Sequence, residues 1–438
     1  MIFIEQNDYV GLKRALSNVN VVDIAEFLEE LDSEKMLLVF RILPKDVCVE
    51  VFSYMTPEQQ QHVIVSITDK EVRHLINELF LDDTVDFLEE LPAGIVKKVL
   101  TNVDEEKRKQ INQFLQYKPA SVGSIMTVEF VELQQSNTVK QAIDTIRKTG
   151  LDKETIYTCY CINEKRQLVG IVPLRALILS DDDEVITEIM TTNLISLQTH
   201  DDREEAADLI RKYDFLSIPV VDSENRLVGI VTVDDALDVI EEETTEDFEK
   251  MAAITPSENE YLKSSVFTLA KNRIIWLIVL MFSAMVTGGI ISKFENILAQ
   301  MMILMSFIPM LTDTGGNAGS QSATLIIRGL ALGEVKSSDL FKIVWKELRV
   351  SLICGSVLAA ANFARLIITG TDIVVSCVVC LSVMFTVIVS KIIGGSLPIL
   401  AKNLRLDPAI MASPLITTIV DSLALIIYFL LAKTMLNL

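Results

Sequence analysis

Hydrophobic and polar positions follow three different rhythms along this chain. Over residues 1–118 apolar residues recur at helical spacing between acidic faces, as in "VVDIAEFLEELDSEKMLLVFRIL". "FLEEL" occurs at 27–31 and again at 87–91, and "LPKDVCVEVFSYMTPEQQQ" from Leu43 is echoed by "LPAGIVKKVLTNVDEEKRK" from Leu91. In both longer strings Pro follows Leu, and a T/D-x-E helix start follows twelve residues on. The pattern predicts an all-α N-terminal domain in which helix pairs stack into a small superhelix.

Residues 119–239 switch to strand-like runs. "VGSIMT" (122–127) returns as "ITEIMT" (186–191), and "EKRQLVGIV" (164–172) returns as "ENRLVGIV" (224–231). Each half, about 119–180 and 181–239, reads as strand, helix, two strands around a polar turn, then helix. This duplicated α/β unit resembles a pair of cystathionine-β-synthase-type (CBS) domains, a regulatory module that often binds adenine nucleotides. Residues 240–270 connect it onward. The acidic run "DDALDVIEEETTEDFEKMAAITP" predicts one long helix to Pro256, placed to transmit movement.

Residues 271–438 are apolar enough for five membrane spans, at roughly 274–294, 299–327, 349–370, 373–399 and 409–434. Basic residues set their orientation. Lys263, Lys271 and Arg273 precede the first span. Arg328, Lys336, Lys342, Lys346 and Arg349 separate the second and third, and Lys402 and Arg405 the fourth and fifth. All three groups fall inside if the N-terminus is inside, which leaves the C-terminus outside. One copy of five spans makes a thin wall for a pore, so a homodimer is expected. The N-terminal stretch has no secretory signal, so the first half is expected to stay in the cytoplasm.

Charge sharpens this division. The formal net charge is −21, but from Ile274 onward there are 8 acidic and 11 basic residues, against 52 and 28 before it. An acidic soluble half argues against nucleic acid as a partner and suits cations; the other reading is that the acidity only gives solubility. The three histidines do not cluster, and the Cys377-x-x-Cys380 pair reads as a lipid-embedded helix face, so a hard cation held by oxygen is the expected ligand. No nucleophile–base pair and no phosphate loop is present, which argues against an enzyme.

The chemistry concentrates in the spans, where ionisable residues are expensive. Asp421 stands in "SPLITTIVDSLALIIYFL" with no basic neighbour in its helix. It needs a cation, a proton or water; the other reading is a carboxyl that holds helices together. "LTDTGGNAGSQSATL" (311–325) places Asp313, Thr314, Asn317 and Gln321 beside the Gly315-Gly316 pair. Pro309 and the glycines are expected to open the helix ladder and free carbonyls. A weakly charged oxygen-lined pore suits hydrated Mg²⁺, although the spacing leaves Ca²⁺, Mn²⁺ and Na⁺ open.

The strings "PMLTDTGGNAGSQSATLIIRGLALGEV" and "RLDPAIMASPLITTIVDSLALIIYF" are similar to those of the MgtE-type bacterial magnesium channels, and so is the domain order. The resemblance covers nearly the whole chain. It implies a homodimeric Mg²⁺ channel of the bacterial plasma (inner) membrane, embedded in lipid, with a pore lined by spans two and five. The family's pore aspartate matches Asp421. Its Asp-Pro-Ala matches Asp407-Pro408-Ala409, where Asp407 reads first as a helix cap. The resemblance also implies closure by cytosolic Mg²⁺ on regulatory carboxylates. Matching positions are Asp82 and Asp86 in the helical domain; Asp202, Glu204 and Asp214 in the second CBS repeat; and Asp235, Asp238, Glu243, Glu246 and Asp247 along the connecting "plug" helix. ATP binding is implied too, with Arg175, Phe215 and Thr232 at the site. The second repeat keeps Thr232-x-x-Asp235, whereas the first has Pro173-Leu-Arg175-Ala176, so the site is asymmetric. The chain departs from the family at Asp313, where glycine is implied. The rival readings are a secondary transporter with Asp421 as a proton or sodium carrier, and a regulatory membrane scaffold without flux.

Overall fold

The computed structural model describes residues 2–6, 8–257, 261–262, 264–411 and 413–437, and not the side chains of Ile2, Glu5 and Ser413. Lys263 therefore lies outside the described residues. The chain divides into two compact units, Met1–Ile240 and Glu241–Leu438.

The first unit opens with α1 (Ile2–Glu5), α2 (Tyr9–Leu16), α3 (Val21–Glu29), α4 (Ser33–Ile42), α5 (Lys45–Ser53), α6 (Pro57–Ser66), α7 (Asp69–Glu78), α8 (Leu81–Glu89), α9 (Ala93–Asn102) and α10 (Glu105–Phe114). From α3 onward each helix starts twelve residues after the one before. Leu43 to Leu91 is 48 residues and Phe27 to Phe87 is 60, which are four and five of these units, so both sequence echoes belong to one repeat. Local chemistry sets the stops and starts. Pro44 and Pro92 cap α5 and α9, and Thr56 and Thr68 form capping boxes with Gln59 and Glu71. Alternate helices pack: α3 on α5, α5 on α7, α7 on α9. Phe52 and Phe87 meet edge to face inside this stack, with centroids 5.1 Å apart.

Two small sheets follow. The first half holds β1 (Phe130–Gln134), α11 (Val139–Thr149), β2 (Thr155–Ile162), β3 (Leu168–Pro173) and α12 (Leu174–Leu179). The second holds α13 (Ile186–Ile189), β4 (Leu197–Gln198), α14 (Arg203–Tyr213), β5 (Ser217–Val221), β6 (Leu227–Thr232) and α15 (Val233–Met251). In each, the first pair of strands is parallel and the second antiparallel. The repeated strings explain the pairing of halves. Thr127 exchanges backbone hydrogen bonds with Ile230, and Thr191 does so with Ile171. A Cβ on Gly229 would lie 2.7 Å from the Met126 sulfur, and one on Gly170 would lie 2.5 Å from that of Met190. Each repeat thus lays its methionine over the glycine of the other, and no side chain fits between. Tyr160 and Ser217 join the two sheets through a buried hydroxyl pair at 2.7 Å. One apolar core runs from Phe52 and Ile64 to Met126, Ile218 and Val231, joining the helical domain to the second repeat.

Helix α15 ends at Met251, short of the expected Pro256. Ala253 adopts a left-handed conformation (φ 54°), and the Ile254 N–H turns back to the Glu249 carbonyl at 2.9 Å. This is the 6→1 closure of a helix C-terminus.

The second unit contains α16 (Val266–Lys293), α17 (Glu295–Gln300), α18 (Ile308–Ala331), α19 (Leu340–Ile368), α20 (Ile373–Asn403) and α21 (Ser413–Leu436). Among the described residues, four segments are long and apolar enough to cross a membrane: Val266–Lys293, Ser337–Ile368, Ile373–Asn403 and Pro408–Leu436. The fifth expected span, α18, runs 24 residues but is interrupted by polar side chains. It starts at Ile308 instead of 299, because 302–307 form a 3₁₀ turn and Pro309 sits in the first helical turn. A proline there begins a helix and does not break one. The glycine pair does not open the ladder either: α18 is unbroken through Gly315 and Gly316. The expected freed carbonyls are therefore absent, and the glycines serve packing. A Cβ on Gly394 of α20 would lie 2.1 Å from the Gly319 carbonyl oxygen, so α18 and α20 touch backbone to backbone.

Candidate functional site

Helix α18 has two faces. Gly315, Gly316 and Gly319 are buried, and Cβ atoms there would press on Val420, Thr417 and Ile416 of α21 at 2.8, 3.0 and 2.7 Å. The other face stays open: Asp313, Asn317, Gln321, Thr324 and Arg328 are exposed at helical spacing. On a helix that crosses a membrane such a polar stripe would be unstable against lipid and would need water or protein to face it.

Asp421 comes from α21 to the edge of this stripe. Asp313 lies close enough to act on it electrostatically. Asp421 Oδ1 is buried and makes no hydrogen bond with the described residues. The same holds for the hydroxyls of Thr386 and Ser390 on α20, which border Gly315. Unpaired buried oxygens are rare and call for a ligand, water or function. Of the five predicted pore residues, Asp313, Asn317 and Asp421 thus present polar side chains at this face, whereas Gly315 and Gly316 let the helices approach. Thr386 and Ser390 were missed, since each reads as an ordinary helix position in an apolar run.

A second constellation lies in the first unit. Asp82 and Asp83 open α8, and Asp234 and Asp235 open α15. Glu129 and Glu154 stand before β1 and β2, with Lys107 of α10 among them. Burial holds the Asp82 carboxyl well above the usual range, with help from Asp235, Asp83 and Glu154. Burial and Asp234 raise Asp83 to about 6; burial raises Asp235 to about 6 against a hydrogen bond from Thr232; burial and Asp234 raise Glu154 to about 7. Burial depresses Lys107, although four carboxylates favour its charge. The Lys107 ammonium reaches Glu129 at 4.0 Å and donates to the Leu79 carbonyl at 2.5 Å. The six carboxylates act on one another, and Lys107 acts on Glu129, Asp82 and Asp83 among them. They share a field without converging: among the described residues no three His, Cys, Asp or Glu side chains are grouped to hold a metal ion.

Of the regulatory residues read from sequence, Asp82 and Asp235 meet here. Asp86 and Asp238 are exposed on the same two helices. Asp83, Glu129, Glu154 and Asp234 were missed, because the strand-to-helix topology that gathers them leaves no local signal. Asp202 and Asp214 do not meet. Asp202 is the N-cap of α14 and accepts from the Glu204 N–H at 3.0 Å, while Asp214 is its left-handed C-cap (φ 54°). About 16 Å of helix separates them, so one ion cannot bind both.

In the second unit the end of α15 is already paired. Lys250 bonds Glu246 and, at 2.6 Å, Asp407, whose other oxygen caps Ala409 at 2.8 Å. Burial lowers the Lys250 pKa, but these hydrogen bonds outweigh it and hold the ammonium above its ordinary range. Burial and the Asp407 charge raise Asp247. Glu243 lies half-buried one turn earlier.

The predicted nucleotide residues separate as well. Arg175 lines an open cleft of 510 Å³ with Tyr157, Pro173, Leu174, Ile178 and Leu179. Phe215 stacks on Tyr213 at 5.4 Å, and Thr232 is bonded to Asp235; neither lines that cleft.

Comparison with known proteins agrees along the chain. The MgtE divalent cation transporter profile matches residues 308–431, the MgtE intracellular N domain matches 19–120, and the CBS domain matches 122–181 and 186–242. The magnesium transporter MgtE of Thermus thermophilus is 35% identical over 438 residues, 99% of this chain and 97% of the relative. That of Bacillus subtilis is 34% identical over 426 residues, 94% of each chain. Among solved structures, the cytosolic domain of the Mg²⁺ channel MgtE in complex with ATP is 34% identical, with a TM-score of 0.52. It matches over 54% of this chain and 96% of that one.

Proposed function

The chain belongs to the MgtE family of magnesium transporters, and from that premise we propose that it is a homodimeric, Mg²⁺-selective channel closed by cytosolic Mg²⁺. Its work is Mg²⁺ transport, not catalysis. The observation that carries the channel reading is the open polar stripe of α18, Asp313 to Thr324, beside the unpaired Asp421 oxygen. A second copy facing this stripe encloses a path walled by neutral oxygens and few carboxylates. Mg²⁺ sheds water reluctantly and binds through one or two carboxylates plus retained waters. Such a wall suits it.

For gating, the carboxylates of α8 and α15 repel one another at cytosolic pH. A divalent cation among them favours the arrangement in which they are close, and so shifts the population toward closure. Nucleotide binding at the CBS pair is supported by the ATP complex of the related cytosolic domain, with Arg175 and Tyr157 at the cleft. This reading puts the N-terminal domains in the cytoplasm and the C-terminus outside, in the inner membrane of a bacterium.

Liposome flux tests the pore. Asp421→Ala is expected to abolish Mg²⁺ flux through folded protein, and flux at the wild-type rate overturns the assignment. Dependence of wild-type flux on a proton or sodium gradient overturns the channel reading in favour of coupled transport.

A further inference from the structure

Three membrane helices meet at a buried polar link that lies apart from the pore residues. Glu347 of α19 is 9% exposed, Lys391 of α20 6% and Ser322 of α18 1%. Ser322 Oγ donates to Glu347 Oε2 at 2.6 Å, and Lys391 Nζ donates to Ser322 Oγ at 3.4 Å. One hydroxyl therefore relays between an ammonium and a carboxylate on two other helices. Gly395 makes room for it, since a Cβ there would lie 3.1 Å from Glu347 Cγ. An apolar layer of Ile326, Leu330, Ile343 and Ile399 from the same three helices seals one side. Beside it, Gly319 and Gly394 bring α18 and α20 into backbone contact.

Charges at this depth are costly unless paired, and removing one partner leaves the other uncompensated. Apolar residues pack three helices without that cost, so the link has a use beyond adhesion. Its place on α18 indicates which. Ser322 follows Asp313 by nine residues, two and a half helical turns, so the two lie on opposite sides of α18. The link grips the back of the helix whose front carries the polar stripe.

We propose that Ser322, Glu347 and Lys391 are positioning residues for ion selectivity: they fix the rotation of α18 about its axis, and with it the aim of Asp313 and Asn317. This rests on the reading of α18 as a pore wall. A rotation of about 20° carries a side-chain tip about 6 Å from the axis through about 2 Å. Mg²⁺ demands near-ideal geometry at short range, whereas Ca²⁺ tolerates irregular ligation, so misaim harms Mg²⁺ first.

The test uses the full chain in liposomes, with Mg²⁺ and Ca²⁺ flux measured per folded molecule and melting followed in detergent. Ser322→Ala removes the relay and no charge, so it is expected to fold. It should lower the Mg²⁺:Ca²⁺ flux ratio at least threefold. Glu347→Gln and Lys391→Met each strand a charge and should lower the yield of folded protein. The double variant should restore yield but not the ratio, which separates aim from stability. A wild-type ratio in Ser322→Ala, or in the double variant, overturns the proposal. If Asp421→Ala also leaves flux unchanged, the pore reading fails as well. If Asp421→Ala abolishes flux while Ser322→Ala keeps the wild-type ratio, only the positioning role falls.

Discussion

Asp83→Asn isolates one charge of the cytosolic cluster. The Asp83 pKa rises from 3.8 to about 6 on folding, because burial and the Asp234 and Glu129 charges disfavour its ionised form. The folded state therefore holds the proton more tightly than the unfolded chain. Stability falls as pH rises from about 4, where the unfolded side chain ionises, to about 6, where the folded one does; above that the penalty is constant. Two pKa units correspond to about 3 kcal/mol. Asparagine keeps the shape and removes the charge. Without Mg²⁺ at pH 8 the variant should melt higher than wild type, by about 6–12 °C for a unit of this size. The gap should shrink as pH is lowered and vanish near pH 4. Mg²⁺ should raise the wild-type midpoint more than that of the variant, because it offsets a repulsion the variant lacks. Differential scanning of the full chain in detergent, across pH 4–8 with and without Mg²⁺, reads all three effects. A variant that melts lower than wild type at pH 8, or a gap independent of pH, refutes the reasoning.

Two further substitutions probe other levels. Gly394→Ala puts a methyl group 2.1 Å from the Gly319 carbonyl, so α18 and α20 must separate; the midpoint in detergent should fall by an amount equivalent to about 1–3 kcal/mol, whereas Gly288→Ala, with nothing within 4 Å, should not lower it. Arg175→Ala should weaken ATP binding about tenfold in calorimetry, on the scale of one charge-assisted hydrogen bond, and unchanged affinity moves the nucleotide away from that cleft.

The sequence was most readable where chemistry is local. Capping residues, the strand–helix–strand alternation of the duplicated halves and Asp421 in its apolar run each announce themselves within a few residues. The Gly315-Gly316 pair was misleading because glycine serves both helix opening and helix packing, and only the neighbours Val420 and Thr417 decide between them. Pro309 misled similarly, since a proline breaks or begins a helix according to its place in the first turn. Glu347 and Lys391 escaped notice because they lie 44 residues apart and a third helix supplies the hydroxyl that joins them. The acidic cluster draws on four separate elements, so only the fold assembles it.

The twelve-residue rhythm of the first eight-helix stack constrains how such an arm can lengthen or shorten. Helix α7 rests on α5 and α9, not on its sequence neighbours alone. Deleting α9 or α10 would put the helices on either side into opposite rows and turn the Asp82–Asp83 corner away from α15. Deleting two keeps the rows in phase. The arm is a ladder whose rungs come and go in pairs, and 24 residues is the smallest step by which its reach changes while its acidic corner keeps the same bearing.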